Sequence, residues 1–517
     1  MNFPRKTGFL LILCAALASY GHYRGWEIPT LRWFYSFAAP PGSFEPESWR
    51  AHQATVVGIA FSALLALVGG VFLWKSRGFH WNPLTLRKME RFRSIGRGYG
   101  SYILLLLLVL VAMADQALVG RRALAVKYEG SWYFPAFVSK PYDATTFGQE
   151  GRGEANYREL KKQSEGTATQ VWMPPVPWDP TFDSDEWMER SLEVRNGQLY
   201  EEGESQPYNG FAYAYHPDQG EHLLRSARIR QGRPEGPAEV YGPDGAPVGR
   251  EVWQNGAMVN SSVPARVDAP SGGKWVRRIY MPLPPSLERG HLLGTDSKGW
   301  DILAQLFGGM QVVFKASVFY LLLTYVIGTV LGSMMGYFGG FFDLFMQRII
   351  EILSNVPFLL VVLIITAQIG RDNISLATII VVLGIFSWIS VAIYLRTSTF
   401  KEKARDYVSA ARVLGAGTSR VIFRHILPNT ISTIVTLVPF SVSSVVASLT
   451  ALDFLGFGVP DSYPSWGRVL NDGVENLGAP WIVSSVFVIM VLLLLLITFV
   501  GEAIREAFDP KKFTTYQ

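Results

Sequence analysis

Asp296 and Asp301 stand five residues apart in GTDSKGWD, a pairing of carboxylates that could divide general-acid and general-base roles. The same two side chains could instead cap a helix beginning near Lys298, because a short carboxylate at a helix entrance accepts from unpaired backbone N–H groups. A cap is the expectation here, since no nucleophile or second base accompanies the pair. The chain has seven histidines, but none stands in an HxxxH spacing, and His216, His222 and His291 are scattered. No metal site is therefore expected, and no catalytic residue. A GxxxxGK[ST] phosphate loop is absent from the sequence, so the chain does not hydrolyse ATP in the P-loop manner. Any ATP-driven motor must be another chain.

One further carboxylate bears on function through its position. Asp453 lies in LDFLGFGVP, at the end of an apolar run. A charge at the centre of a bilayer costs about 2.5–3.5 kcal/mol on insertion scales, so Asp453 should face protein or water. Gly456, Gly458 and Pro460 then break helical geometry, which is tolerable at membrane depth only where protein or a cavity surrounds it. Packing and direct contact with a passing solute are both open roles for this segment.

The elements that hold these residues are mostly membrane spans. The 517 residues are 49% apolar and only 17% charged, a shift towards the membrane class. The net charge of +5 is too small and too dispersed for a nucleic-acid face. Cys14 is the sole cysteine, so no internal disulfide can form. Crossing a hydrocarbon core of about 30 Å takes roughly 20 apolar residues. Candidate spans lie at 8–22, 54–74, 101–119, 311–335, 346–369, 375–396, 430–452 and 481–501. The first is short, and Arg5 and Lys6 ahead of an apolar stretch ending Ala16-Leu17-Ala18 also fit a cleavable signal peptide.

Orientation follows from the basic loops. Residues 75–98 carry Lys75, Arg77, Arg87, Lys88, Arg91, Arg93 and Arg97 against Glu90, and should face the cytoplasm. Counting spans forward returns 397–429 to the same side, and that segment carries Lys401, Lys403, Arg405, Arg412, Arg420 and Arg424. The tail with Arg505, Lys511 and Lys512 also falls inside. Residues 120–305 then lie outside. They contain GFAYAYHPD (Gly210 to Asp218) and GPAEVYGPD (Gly236 to Asp244), matching at an offset of 26 and followed by Gln231-Gly232 and Asn255-Gly256 turns. Such a pattern reads as successive β-hairpins, with RNGQLYEEG (Arg195 to Gly203) as a worn third copy, and resembles MORN-like repeats.

Between two apolar stretches lies SAARVLGAGTSRVIFRHILPN, Ser409 to Asn429. The spacing predicts an amphipathic helix over 400–414 with Tyr407, Ala410, Ala411 and Leu414 on one face, stopped by Gly415. A second helix should begin over 418–427, with Pro428 separating it from the next span. A helix–turn–helix of this kind suits docking into a groove of another protein, or resting on anionic headgroups.

The stretch DYVSAARVLGAGTSRVIFRHILPN resembles the coupling (EAA) loop of ABC importer membrane subunits, although Ser409 stands where that motif often has Glu. HLLGTDSKGWDILAQLFGG, GYFGGFFDLFMQRIIEILSNVPFLL, LTALDFLGFGVPDSYPSWG and GEAIREAFDPKK resemble the C-type permease subunit of oligopeptide and dipeptide importers. KYEGSWYFP and NLGAPW extend the resemblance to the Yej-type subunit, implicated in uptake of peptides and the peptide antibiotic microcin C. The resemblance covers roughly 85–148 and 285–513.

It implies an all-α polytopic membrane protein with the type I ABC importer permease fold, in the bacterial inner membrane. Six core spans are joined by one or two extra N-terminal spans and a β-rich periplasmic insertion. The expected organisation is 1–84 for the additional segments, 85–120 for the basic segment and first core span, 121–305 for the insertion with repeats at about 195–260, and 306–517 for the core with its coupling loop at 397–429. ATP and magnesium would be bound by partner ATPase subunits. The other implied partners are a homologous sister permease, a periplasmic peptide-binding protein and membrane lipid. Coupling is expected from Tyr407, Ser409, Ala410, Ala411, Gly415, Arg420, Leu427 and Pro428, and the outer mouth from Asp453, Gly456, Gly458, Pro460 and Trp466. The competing readings are a nickel-complex permease and a membrane-anchored periplasmic binding or scaffold protein.

Overall fold

The computed structural model describes residues 3–23, 62–74, 83–114, 117–138, 142–149, 154–164, 169–181, 188–201, 204–216, 222–242, 247–263, 273–279, 282–369, 375–460 and 463–508. Lys75, Arg77, Asp218, Asp244, Lys511 and Lys512 lie outside them, as does part of the 54–74 apolar stretch. The chain divides into two compact units: a helical one built from its two ends, and a second formed by the described residues of 116–304.

The helical unit begins with α1 (Phe3–Tyr23), α2 (Ser62–Trp74), α3 (Pro83–Ser94) and α4 (Gly96–Met113). It continues with α5 (Ile302–Phe338), α6 (Gly340–Asn355), α7 (Phe358–Ile369), α8 (Leu376–Lys403), α9 (Asp406–Val413), α10 (Leu427–Phe454), α11 (Trp466–Glu475) and α12 (Pro480–Phe508). Five described helices are long and apolar enough to span a membrane, and α6 with α7 would be a sixth if counted together. The apolar parts of α1 and α2, Lys6–Gly21 and Ser62–Trp74, are shorter.

The stretch 346–369, expected as one span, is two helices bent by 74°. Pro357 explains the break: its missing N–H and its ring exclude a continuous helix there, and Val356 before it is extended. Without a hydrophobic drive between lipid-facing helices, the spans pack through small residues. Gly328, Gly332 and Gly336 run along α5 at four-residue spacing against α8, and a Cβ on Gly332 would lie 2.4 Å from the Ala392 carbonyl. α1 and α2 meet the same way, since a Cβ on Gly8 would lie 2.8 Å from the Gly69 carbonyl.

The second unit is β-rich. β1 (Ala125–Tyr128), β2 (Ser131–Tyr133) and β3 (Gln170–Trp172) form an antiparallel sheet in the order β2-β1-β3. Its core side gathers Val126, Phe147, Tyr157 and Leu160, the last two from the short helix Tyr157–Gln163. β4 (Met188–Arg195), β5 (Gln198–Glu201), β6 (Gly210–Tyr215), β7 (Leu223–Arg230), β8 (Arg233–Tyr241), β9 (Pro247–Gln254), β10 (Ala257–Ser261) and β11 (Lys274–Ile279) form an eight-stranded antiparallel sheet.

Two repeat copies are β6–β7 and β8–β9. Asn196-Gly197, Gln231-Gly232 and Asn255-Gly256 close three hairpins with positive φ at both residues, as two-residue hairpin turns of the mirror-image type require. β11 arrives from outside the repeats and inserts between β6 and β4. The Gly232 carbonyl accepts from Leu199 N–H at 2.8 Å, drawing the β5 edge towards the β7–β8 turn and curling the sheet into a half-barrel. Small Ala212, Ala214, Ala227 and Ala238 leave room inside for Trp253 and Trp275.

Asp296 and Asp301 both act on backbone, but the helix starts at Ile302 rather than near Lys298. Asp301 caps it by accepting from Ala304 N–H at 2.7 Å, while Asp296 closes the preceding turn by accepting from Lys298 and Trp300 N–H at 2.9 and 2.8 Å. The other Asp301 oxygen lies 2.8 Å from His291 Nδ1, and the His291 ring stacks on Trp178 at 4.1 Å.

Candidate functional site

The basic segment after α8 is shaped by its helix ends. α8 stops at Lys403, and α9 starts afresh at Asp406 with Arg405 extended before it. The expected 400–414 helix is thus two helices meeting at a corner. α9 ends in two hydrogen bonds: Gly415 N–H donates to Arg412 O at 2.9 Å and Ala416 N–H to Ala411 O at 3.0 Å. That pattern needs a left-handed residue just past the helix, and Gly415 supplies it at φ 80°.

The chain then turns into Thr418–Arg420, a π-helical stretch Val421–Ile426, and α10 without a break. Pro428 was expected to separate two helices and does not. It sits in the first turn of α10, where a missing N–H costs least, and the wider π turn ahead of it absorbs the backbone misfit.

Val408, Val421, Ile422 and Ile426 bury themselves against Tyr337 at the end of α5. Lys403 Nζ donates to the Tyr337 carbonyl at 2.6 Å, and the Lys403 and Arg412 cations lie 5.6 and 5.0 Å from its ring. The Tyr407 hydroxyl donates to Glu402 Oε2 at 2.7 Å and accepts from Asn429 Nδ2 at 3.1 Å. Burial, and then the Glu402 carboxylate, raise its pKa above the ordinary phenol range, so it stays a donor. These contacts clamp both arms of the segment to one residue of α5.

The outward side is what the clamp presents. Ser409, Ala410, Arg412 and Arg420 are exposed, and Val413 and Leu414 are 87% and 86% exposed. Tyr407, Ala410, Ala411 and Leu414 were expected on one face, but they divide: Ala411 is buried beside Val408 and Tyr407 is half-buried, whereas Ala410 and Leu414 are exposed. Leu427 is half-buried and Pro428 exposed at the start of α10. Tyr337 and Val413 were not singled out from sequence, and Leu414 was read only as part of a helix face. Two large apolar residues directly before a helix-ending glycine, off the buried stripe, were the available signal.

Behind this segment stands an arginine–carboxylate ion pair that sequence reading also missed. Arg396 of α8 donates through Nε and Nη2 to Asp343 of α6 at 2.5 and 2.6 Å, and Gln347 Nε2 adds a bond to Asp343 at 3.0 Å.

The second cluster closes the loop after α10. Gly456, at φ 80°, ends the helix as Gly415 ends α9. Phe457 N–H donates to Leu452 O at 2.9 Å, turning the chain back towards Asp453. Asp453 is buried and accepts from Val459 N–H at 2.7 Å and Ser465 Oγ at 2.6 Å. A Cβ on Gly458 would lie 1.6 Å from Asp453 Oδ1, so only glycine fits there. Pro460 is buried, and its carbonyl accepts from Tyr463 N–H at 3.0 Å. Trp466 Nε1 donates to Leu306 O at 3.0 Å, with its ring against Gly309. Arg468 donates to the Val459 carbonyl at 3.1 Å and to that of Tyr463. All five residues expected at the outer mouth thus meet in one stitched loop, and both Asp453 oxygens are turned to protein.

Residues 328–514, which contain the 397–429 segment and the loop after α10, match the family described as binding-protein-dependent transport system inner membrane component. The oligopeptide transport system permease protein OppC of Escherichia coli (strain K12) is 35% identical over 228 residues, and the chain covers 74% of its length. The chain belongs to this family. It is a permease subunit of an ABC importer, and the permeases to which it is similar are transporters rather than enzymes. Similarity over most of the chain extends to two further members of the family. The inner membrane ABC transporter permease protein YejE of Escherichia coli (strain K12) is 29% identical, over 83% of this chain and 98% of that protein. The peptidoglycan transport system permease protein YejE of Agrobacterium fabrum is 29% identical, over 84% of this chain and 94% of that protein. In this permease the family match begins within α5, so the β-rich unit and α1–α4 lie outside it.

Proposed function

We propose that this permease imports peptides across the bacterial inner membrane. ATP is hydrolysed on partner ATPase subunits, a sister permease completes the pathway, and a periplasmic binding protein delivers the substrate. The Lys- and Arg-rich segment 397–429 faces the cytoplasm, and the β-rich unit faces the periplasm.

One observation carries the mechanism. Val413 and Leu414 project into solvent from a glycine-capped corner that Tyr337, Glu402 and Asn429 hold in place. Exposed apolar residues on a rigid mount, ringed by Arg412 and Arg420, fit a groove on a partner. Motion of that groove reaches the spans through Tyr337 at the end of α5, and through α8, whose Arg396 is bonded to Asp343 of α6. Ser409 and Ala410 allow close approach, and Leu427 and Pro428 stiffen the entry to α10.

At the other cluster, the loop fastened to Asp453 forms part of the outer mouth. Peptide as the substrate class rests on the named relatives. The Agrobacterium fabrum relative, named for peptidoglycan transport, favours a second reading in which the peptide carries amino sugars. ATP-dependent uptake by the reconstituted complex tests both. Accumulation of a labelled oligopeptide that unlabelled peptides displace supports the first. Uptake displaced only by muropeptides supports the second, and uptake of neither removes peptide import.

A further inference from the structure

The three-stranded sheet of the β-rich unit has two apolar faces, and only one is used for its core. Val126, Tyr133 and Val171 point to the core with Phe147 and Tyr157. The alternate positions carry Lys127, Trp132, Phe134 and Trp172, and the three rings remain 53%, 48% and 43% exposed. The Trp132 ring lies 5.3 Å from that of Trp172 and 6.4 Å from that of Phe134, both nearly parallel to it. Lys127 Nζ lies 5.9 Å from the Trp132 ring. Cross-strand stacking stabilises a sheet, but a hydrophobic core already covers the opposite face, and nothing about sheet stability requires two tryptophans and a phenylalanine in water.

The place of this face in the chain says what it meets. Two tethers join the β-rich unit to helices long enough to span a membrane: one follows α4, which ends at Met113, and the other precedes α5, which begins at Ile302. Both tethers are stitched to the strand that carries Trp172 and to its continuation. Leu124 N–H donates to the Trp172 carbonyl at 2.8 Å, and Gly120 N–H to the Val176 carbonyl at 3.0 Å. From the second tether, the Gly290 carbonyl accepts from Trp178 Nε1 at 3.0 Å. Val176 is only four residues beyond Trp172. The aromatic face therefore belongs to the part of the unit where the chain leaves one span and enters the next.

We propose that this face rests in the phospholipid headgroup layer of the outer leaflet. Indole rings are stable there because each joins a large apolar surface to one N–H donor, and a lysine beside them can reach lipid phosphate. Trp132, Phe134 and Trp172 dip among the headgroups, and Lys127 meets phosphate oxygens. The contact fixes the tilt of the β-rich unit relative to the bilayer. The inference depends on the periplasmic placement given above.

The test uses the full permease complex in lipid nanodiscs. A fluorophore is attached at F134C in a Cys14→Ser background, with M258C on strand β10 as the reference. Lipids bearing a nitroxide on the headgroup should quench the F134C label several-fold more than the M258C label. Equal, weak quenching at both positions overturns the proposal. So does F134C quenching that is relieved when a soluble periplasmic partner is added, which would make the face a protein interface. If F134C does not assemble, K127C reports on the same face. An impermeant thiol reagent applied to M258C in spheroplasts checks the placement separately. Reaction there without lipid quenching at F134C rejects the lipid contact alone, whereas protection of M258C until the membrane is opened rejects the placement and the lipid contact with it.

Discussion

Arg396 on α8 and Asp343 on α6, 53 residues apart in the chain, form a two-pronged ion pair, with Nε and Nη2 donating at 2.5 and 2.6 Å. Arg396 lies seven residues before the end of α8, immediately ahead of the proposed coupling segment 397–429. Charged hydrogen bonds of this sort contribute about 1.5–3 kcal/mol each when a partner is removed. Asp343→Asn should therefore lower the thermal midpoint of the detergent-solubilised permease by several degrees. It should also uncouple ATP hydrolysis from transport, because α6 no longer follows α8. Arg396→Lys keeps the charge but loses the planar fork, and should fall between wild type and Asp343→Asn. An unchanged midpoint in Asp343→Asn would remove the pair from the stability and coupling argument.

Asp453 holds its loop by accepting from Val459 N–H and Ser465 Oγ. Asp453→Ala leaves two buried donors without an acceptor, at about 1–3 kcal/mol apiece. Hydrogen exchange in 455–468 should rise sharply in that variant, while the ends of α5 and α12 stay protected. Ser465→Ala removes one bond and should loosen the loop less. Equal protection in all three proteins would mean that the loop is held by something other than Asp453.

The sheet order changes what a clean excision of the half-barrel looks like. β11 pairs with both β6 and β4, so a deletion ending at residue 260 strands it. Replacing 188–279 by a short Gly/Ser linker removes all eight strands together. We expect membrane assembly and basal ATP hydrolysis to survive, and peptide uptake at low concentration to fall, if the half-barrel docks the binding protein or covers the outer mouth. Undiminished uptake would leave it a spacer.

The legible parts of this fold were those written locally. Asn196-Gly197, Gln231-Gly232 and Asn255-Gly256 announce hairpins because few residue pairs tolerate positive φ twice in succession. Gly415 announces a helix end for the same reason. β11 was not legible: a strand drawn from outside the repeats into the middle of a sheet leaves no local trace. Pro357 and Pro428 show how one residue type carries two meanings. The first follows a full helix and breaks it, whereas the second falls in a first turn, where a π stretch accommodates it. At the site, small residues and glycines could be read as a docking loop, but the anchor could not. Tyr337 is 70 residues from Tyr407, and only folding brings the end of α5 beneath the corner.

In the mechanism proposed above, the corner after α9 transmits the work of an ATPase. Val413→Asp and Leu414→Asp are the decisive variants, because both side chains are almost wholly solvent-exposed and their replacement uncovers little buried surface. Surface changes of this kind usually alter stability by less than about 0.5 kcal/mol. Both variants should therefore insert, fold and pair with the sister permease normally. The measurement is peptide-stimulated ATP hydrolysis in the reconstituted complex, with co-purification of the ATPase subunits scored alongside. The ATPase subunits should dissociate, or stimulation should collapse to the basal rate, as it should for Gly415→Leu, where a bulky side chain opposes φ 80°. Full stimulation with the ATPase subunits retained in both aspartate variants would contradict it.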